Sequence, residues 1–599
     1  MSINLLTFSD IEKCSGKRLS IDTETTGLQW YKNHMIGFGI YCPDADVGGY
    51  MPTDTDEERR NVRIALMDLL SSETTVIAHN LKFDFHFLGI SPRECKWNVL
   101  DTAILVHLMD SRFRKSAESL EKNFLGTNTK KEFMLKGGRN KIWNWSLDLI
   151  APYCENDCRI EYEFAKIFTP EVVELGLWKL FLKDMEYLKD IWDIERHGII
   201  LDKSYITTCM IFQENIISEM EQHLYDAVGY EFNWRSTKQL SEALYASLGI
   251  PKPKNPFADA DGVDRSRFAD GGLYKSTCTS SFLLMEKVKH PLGSLIGSLR
   301  ESARLLKTVE TYLVQTDDDD IVHTGFNITG TRTGRLSSSK PNMQNVPSGI
   351  RGRFTQSVYS GDTSRSDEYN LRKAFVAREG KTFLSIDWKQ MEMRMFGILS
   401  QDPFMLKSLK AGKDVHGDIA DKVWHTRDHT HREWSKTISF GLIYGMTLGS
   451  LMFKLNMTKA QASVVCDQYW AEFPRIKPWL NEIIEQVRKF GFVRYWSGRL
   501  WREENPIDAY KGANAQIQGG CADLLSIAEL RAAKWCRDQG DTHKIVNLVH
   551  DEIIIELPDE DVQRASREVS KLMEVPDLFN IPFITDSKAG KSYGDLHEF

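Results

Sequence analysis

Lys544-Ile545-Val546-Asn547-Leu548-Val549 runs into His550-Asp551-Glu552, and Ile553-Ile554-Ile555-Glu556-Leu557 follows. Two apolar β-rich runs around a charged triplet predict an antiparallel hairpin with the charges at its turn. Burying the triplet would be costly, so the plainest reading is a surface hairpin that exposes it. A second apolar strand, Thr382-Phe383-Leu384-Ser385-Ile386, ends on another acid, Asp387. If instead Asp387 and Asp551 meet in space, the carboxylates can hold two Mg²⁺ ions about 3.5–4 Å apart. That arrangement serves phosphoryl and nucleotidyl transfer.

Between these acids lies Arg432-Glu433-Trp434-Ser435-Lys436-Thr437-Ile438-Ser439-Phe440-Gly441-Leu442-Ile443-Tyr444-Gly445. On a helix Arg432, Lys436, Phe440 and Tyr444 fall four apart along a slowly turning stripe. Cations at a helix start oppose its dipole, so helix stability does not explain them. They suit a triphosphate, with Arg432 toward the β/γ end and Lys436 toward the α end; the aromatics then meet sugar and base. A surface charge stripe over a core aromatic is the alternative.

The N-terminal third carries a second set of acids. Asp22 and Glu24 close a strand and share one of its faces. Asp84 follows the strand Thr75–Ala78, and Tyr153 and Asp157 share a helix face. Gathered together, Asp22, Glu24, Asp84 and Asp157 repel unless cations lie between them. Two Mg²⁺ ions satisfy them and activate a water for attack on a phosphodiester. Tyr153 is placed to orient that water.

These residues resemble two known families. The first set matches the three exonuclease motifs of the DEDD 3′–5′ exonucleases, in the subtype with tyrosine, over roughly the first 165 residues. The second resembles motifs A, B and C of family A DNA polymerases, the DNA polymerase I family. Thr331-Arg332-Thr333-Gly334-Arg335-Leu336-Ser337-Ser338 and Pro341-Asn342-Met343-Gln344-Asn345-Val346-Pro347 resemble the family's primer-template segment. Phe232-Asn233 with Ser236, Gln239 and Leu240 resembles the start of its thumb, and Asn514 with Gln516-Ile517-Gln518-Gly519 its late palm helix.

The resemblance implies an α/β RNase-H-like exonuclease domain (1–168) joined to an α+β right-hand polymerase (169–599). The thumb is expected over about 203–315, the palm over 321–400 and 500–599, and the fingers over 402–495. It implies metal ligation by Asp22, Glu24, Asp84, Asp157, Asp387 and Asp551, with catalytic roles also for Glu552, Arg432, Lys436 and Tyr153. Gln390, Glu392, His416, Arg432, Lys436, Phe440 and Tyr444 are expected at the dNTP, with Glu392 as the gate against ribose. Thr331, Arg335, Asn342, Gln344, Asn345, Asn514, Gln518 and His550 are expected on DNA. Cofactors are two Mg²⁺ per site, with Mn²⁺ able to substitute. Partners are primer-template DNA, single-stranded 3′ ends and dNTPs, with a helicase, primase or single-strand-binding protein as further candidates; a monomer is expected.

Departures from the family pattern are Glu433 for a second arginine, Tyr510 for an arginine, Leu548 for a glutamine, and Trp388-Lys389 for Tyr-Ser. Thr355–Asn370 reads as an insertion without an assigned role.

Bulk properties agree with this picture. The 599 residues exceed one core, and 42% hydrophobic with 27% charged residues is ordinary globular composition. The net charge of −8 hides a basic stretch, 321–354, with Arg332, Arg335, Lys340, Arg351 and Arg353 and no acid. Such a stretch fits a duplex footprint. The ten cysteines are scattered and read as buried thiols of a reducing compartment; Cys154 and Cys158 share a helix face without a second pair. Asp317–Asp320 reads as a solvated turn. No secretory signal, membrane span or preceding nuclease domain is read, which points to the cytoplasm and to a compact phage replicative enzyme in an infected bacterium. The competing readings are an exonuclease whose polymerase half only grips DNA, a non-catalytic replication scaffold, and an RNA polymerase or reverse transcriptase.

Overall fold

The computed structural model of the chain describes residues 3–95, 99–138, 141–252, 290–347, 370–443, 445–455 and 457–599. The N-terminal part is built on five strands in the order β3 (Val47–Pro52), β2 (Met35–Cys42), β1 (Arg18–Thr25), β4 (Thr75–Ala78) and β5 (Val99–Asp101). β1, β2 and β3 pair antiparallel, while β4 runs parallel to β1 and β5 to β4. Short links allow the antiparallel meander; β4 and β5 return through helices Asp56–Ser71 and Leu81–Leu88, as parallel neighbours must. β1 runs through Asp22 and Glu24 to Thr25, because its ladder with β2 carries on past the acids: Asp22 pairs with Gly39 and Glu24 with Gly37. Helix Leu147–Glu174 lies across β1, β2 and β3.

The boundary expected at residue 168 falls inside that helix, whose buried face continues through Phe168 and Val172. The break comes at Leu175–Leu177, after which helix Trp178–His197 bridges the two halves. It packs on helices Leu81–Leu88 and Thr102–Met109 on one side and on helix Lys511–Asp538 on the other.

The thumb helices Lys203–Val228 and Leu292–Val314 pack along one another. The first starts at Lys203, where Asp202 caps it by accepting the Tyr205 N–H at 2.9 Å. Ser236 and Gln239 of the motif at the thumb's start act as a cap too: the Ser236 hydroxyl accepts the Gln239 N–H, and Gln239 Oε1 accepts the Asn233 N–H at 2.8 Å. All but Asn370 of the Thr355–Asn370 insertion lies outside the described residues.

The palm sheet is antiparallel, in the order Lys544–Val549, Glu552–Pro558, Lys381–Trp388, Thr585–Gly590. Helices Lys511–Asp538 and Val562–Met573 pack against it. The fingers region holds six described helices between Pro403 and Phe490. Asp317 closes the acidic turn by accepting the Asp319 and Ile321 N–H groups at 3.0 and 2.8 Å. Nine free cysteines are described, eight of them buried. No described helix is long and apolar enough to cross a membrane.

Candidate active sites

The palm sheet brings its acids to one edge. Asp387 stands opposite Glu552 in the register, and the Trp388 N–H donates to the Asp551 carbonyl at 3.4 Å. His550 takes a left-handed φ of 58° at the hairpin turn, so Asp551 leaves the ladder and faces the cleft. Asp387 is open to solvent, yet the protein crowded around it, and then the charges of Asp551 and Glu552, push its carboxyl up to about 8. Burial raises Asp551 and Glu552 as well. Glu552 is the most engaged of the three, accepting the Ser385 and Tyr593 hydroxyls. Facing acids that resist ionisation, with oxygen donors only, suit a hard divalent cation.

A cavity of about 480 Å³ opens above this edge and is shared by Arg335, Gln344, Gln390, Glu392, His416, Arg432, Lys436, Phe440, His550 and Asp551. Helix His429–Ile443 carries Arg432, Lys436 and Phe440 along one face, as the spacing predicts; Tyr444 lies outside the described residues. Lys436 is exposed, whereas Arg432 is committed, its Nε donating to Asp414 Oδ2 at 2.7 Å. Gln390 holds the other oxygen of Asp414 at 3.0 Å. His416 is pushed down to about 4 by burial, with Arg432 and Lys436 adding to the effect, so it is neutral beside the Phe440 ring at 5.8 Å. Glu392 is ion-paired with Arg335.

The residues expected on DNA divide. Arg335 and His550 line the cavity. Asn514 and Gln518 lie one turn apart on helix Lys511–Asp538, partly exposed, and Asn514 Oδ1 has no partner. Asn342 and Asn345 are exposed at a second hollow of about 610 Å³, between the thumb helices and residues 341–347. Gln344 lines the cavity too, and both it and Thr331 are tied into the surrounding backbone. The Thr331 hydroxyl donates to the Arg335 carbonyl at 2.8 Å, and the buried Gln344 amide donates to the Leu548 carbonyl at 3.1 Å. Gly334, between them in sequence, has φ +85°, and a β-carbon there would meet Arg499 Nε at 3.1 Å. Arg499 belongs to a buried lattice with Asp184, Asp523 and Lys183 that forms one wall of the cavity. No sequence spacing marks it, because Asp184 lies 315 residues before Arg499.

In the N-terminal unit all four expected acids converge. Asp84 sits in the first turn of helix Leu81–Leu88, whose start is set by Asp101 accepting the Asn80 and Leu81 N–H groups at 3.1 and 3.0 Å. Asp84 in turn accepts the Thr23 N–H at 3.0 Å and hydroxyl at 2.7 Å, between Asp22 and Glu24. Burial raises Asp22 far above its usual range, with Asp84, Asp157 and Glu24 adding. Burial, then Asp157, pushes Glu24 up to about 8, and burial pushes Asp84 up to about 7. Asp157 Oδ1 is buried without a partner. A pocket of mutually raised carboxylates with an orphaned oxygen fits cation binding. The cation now present is Lys130, ion-paired with Asp157 and 5.2 Å above the Tyr153 ring. Tyr153 packs edge-on against Phe133 and Trp145, and burial raises its phenol, so it stays protonated.

A mixed five-stranded sheet carrying an acid cluster, joined to a palm, fingers and thumb around a second acid pair, is the polymerase fold with an exonuclease fold attached. Family comparison agrees: the chain belongs to DNA polymerase family A, matched over residues 207–595, and residues 7–173 match the 3′–5′ exonuclease family. It is 27% identical to DNA polymerase I of Borreliella burgdorferi, over 97% of this chain and 63% of that protein. It is 24% identical to DNA polymerase I of Pseudomonas aeruginosa, over 97% and 64%. The chain thus spans a little over three-fifths of these relatives. Among solved structures it is similar to the POL domain of Pol1 from M. smegmatis, in complex with DNA primer-template and dNTP, at a TM-score of 0.78 and 23% identity, covering 97% of each chain. The named relatives are bacterial, which gives the expected phage origin no support.

Proposed function

We propose that the chain extends a DNA primer by template-directed addition of dNTPs and trims 3′ ends in its N-terminal unit. The observation that carries this reading is the meeting of Asp387 and Asp551 at the open edge of the palm sheet, beneath the cavity shared by Arg432 and Lys436. Arg432 exchanges Asp414 for the β/γ phosphates, and Lys436 neutralises the α phosphate. Phe440 packs on the sugar, while Glu392, steadied by Arg335, fills the space of a ribose 2′-hydroxyl. Arg335, His550, Asn514 and Gln518 face the minor-groove acceptors that every Watson–Crick pair offers, so they test pair shape without reading sequence. Asp387, Asp551 and Glu552 would hold Mg²⁺ or Mn²⁺, which supply Lewis-acid and charge-neutralising chemistry when bound. In the exonuclease unit Tyr153 orients the attacking water and Lys130 balances phosphate charge. Such an enzyme works where DNA is, in the cytoplasm of a bacterial cell.

The test is primer extension with Mg²⁺ and dNTPs. Asp551→Ala should abolish extension and leave digestion of single strands intact; Asp22→Ala with Glu24→Ala should do the reverse. Extension that survives Asp551→Ala removes the palm assignment.

A further inference from the structure

Cys154 and Cys158 lie one turn apart on helix Leu147–Glu174 and turn their sulfurs toward β2 at Gly39. A β-carbon on Gly39 would come within 2.9 Å of both sulfurs. Gly39 is also the cross-strand partner of Asp22. The missing side chain therefore lets Cys154 settle against the strand of acids, with Sγ 3.5 Å from the Asp22 carbonyl oxygen and 3.7 Å from Asp22 Oδ2. Donor atoms of Asp22, Glu24 and Cys154 all lie within 4.8 Å of one another, and no other such trio occurs among the described residues. A second observation concerns unpartnered oxygens on the same helix. Asp157, 4% exposed on the same helix face, keeps Oδ1 without any hydrogen-bond partner, and so does Glu161 its Oε2 one turn further on.

We propose that Asp22, Glu24 and Cys154 form a mixed carboxylate–thiolate site that takes one thiophilic divalent cation of the Zn²⁺ or Co²⁺ class. The inference rests on the reading of these acids as a cation site of an exonuclease, and adds which ion they choose. Carboxylates alone suit Mg²⁺ and Mn²⁺, which gain little from sulfur. Thiolate is a strong ligand for Zn²⁺, at about 2.3 Å, and favours softer ions generally. On binding, the Cys154 S–H bond breaks, its proton leaves to solvent, and a sulfur–metal bond forms; nothing is oxidised or reduced.

Co²⁺ titration of the full chain, reduced and stripped of metal, reads the site without reference to turnover. Wild type should show a near-ultraviolet thiolate-to-cobalt charge-transfer band that saturates at one equivalent. Cys154→Ala and Cys154→Ser should both lose it, and Cys158→Ala should keep it; the serine variant preserves size and polarity if alanine harms folding. Co²⁺ affinity should fall at least about tenfold in the Cys154 variants, with Mg²⁺ affinity little changed. A band that persists in Cys154→Ser, or Co²⁺ binding to wild type without one, overturns the proposal. The two readings fail separately: trimming of 3′ ends with no band removes the thiolate ligand alone, whereas a band with no trimming under any ion removes the exonuclease and leaves the metal site.

Discussion

Lys130 brings a positive charge into a pocket of acids, and its place there decides what it can do. Its ammonium pairs with Asp157 and faces Tyr153, and those neighbours, outweighing burial, raise it well above the usual lysine range. It remains charged at any working pH, so it can accompany a phosphodiester through the build-up of negative charge. Lys130→Ala should slow trimming of single-stranded DNA by roughly 10²-fold at saturating Mg²⁺, the cost of losing one preorganised charge, with primer extension unchanged. Rapid-quench digestion of a 3′-labelled strand measures this; an unchanged rate would make Lys130 a placeholder for metal. Glu392 is the matching residue in the palm. Glu392→Ala should raise rNTP incorporation relative to dNTP by at least about tenfold, a difference of about 1.4 kcal/mol, in single-nucleotide addition assays. Equal selectivity in the variant would mean that the ion pair with Arg335 serves only the architecture.

At the scale of an element, helix His429–Ile443 is latched at its first turn. Asp414 holds Arg432 through both oxygens, at 2.7 and 3.3 Å, and the pairing keeps the Asp414 carboxyl below its usual range despite burial. A triphosphate must displace that carboxylate. Asp414→Asn weakens the latch and should lower the dNTP concentration for half-maximal addition several-fold, as the removal of a competing anion predicts. A rise instead would show that Asp414 aims Arg432 at the phosphates. The helix and its stripe were legible in the sequence, because four-residue spacing is a local property; so were the paired acids of β1 and the Tyr153–Asp157 face. Asp414 and Lys130 were not singled out. Their partners lie 18 and 27 residues away, and no periodicity reports such contacts. Cys154 reads only as a buried thiol for the same reason, since the strand that it faces lies 132 residues earlier. The boundary expected at residue 168 falls within one amphipathic helix, which serves both the end of the exonuclease unit and the approach to the bridge.

The whole molecule is joined through helix Trp178–His197, and the joint is charged where an apolar seam would be cheaper. Glu195 takes Lys82 and His86 of the exonuclease unit and the Phe326 N–H of the palm side. One surface further along, Asp190 is shared by Arg93 of the exonuclease unit and Arg537 of helix Lys511–Asp538. Behind it lies Glu529, with no exposed surface and neither carboxylate oxygen partnered. Burial, then the charge of Asp190, raises Glu529 well above its usual range, and burial pushes Asp190 up to about 6 despite both arginines. A carboxyl whose pKa is raised in the folded chain binds its proton more tightly there than when unfolded. Its stabilising contribution is complete below the unfolded value, near 4.5, and is lost as pH rises through the folded value. Glu529→Gln keeps the shape and removes the titration. It should therefore leave thermal stability near pH 4.5 little changed and raise it at pH 8, by about 1–3 kcal/mol, the usual cost of an unsatisfied buried polar group. Melting wild type and variant side by side across that range measures the difference in slope. A variant that melts lower than wild type at both ends would mean that the Glu529 carboxylate is held ionised by the arginines, and that the joint gains from its charge.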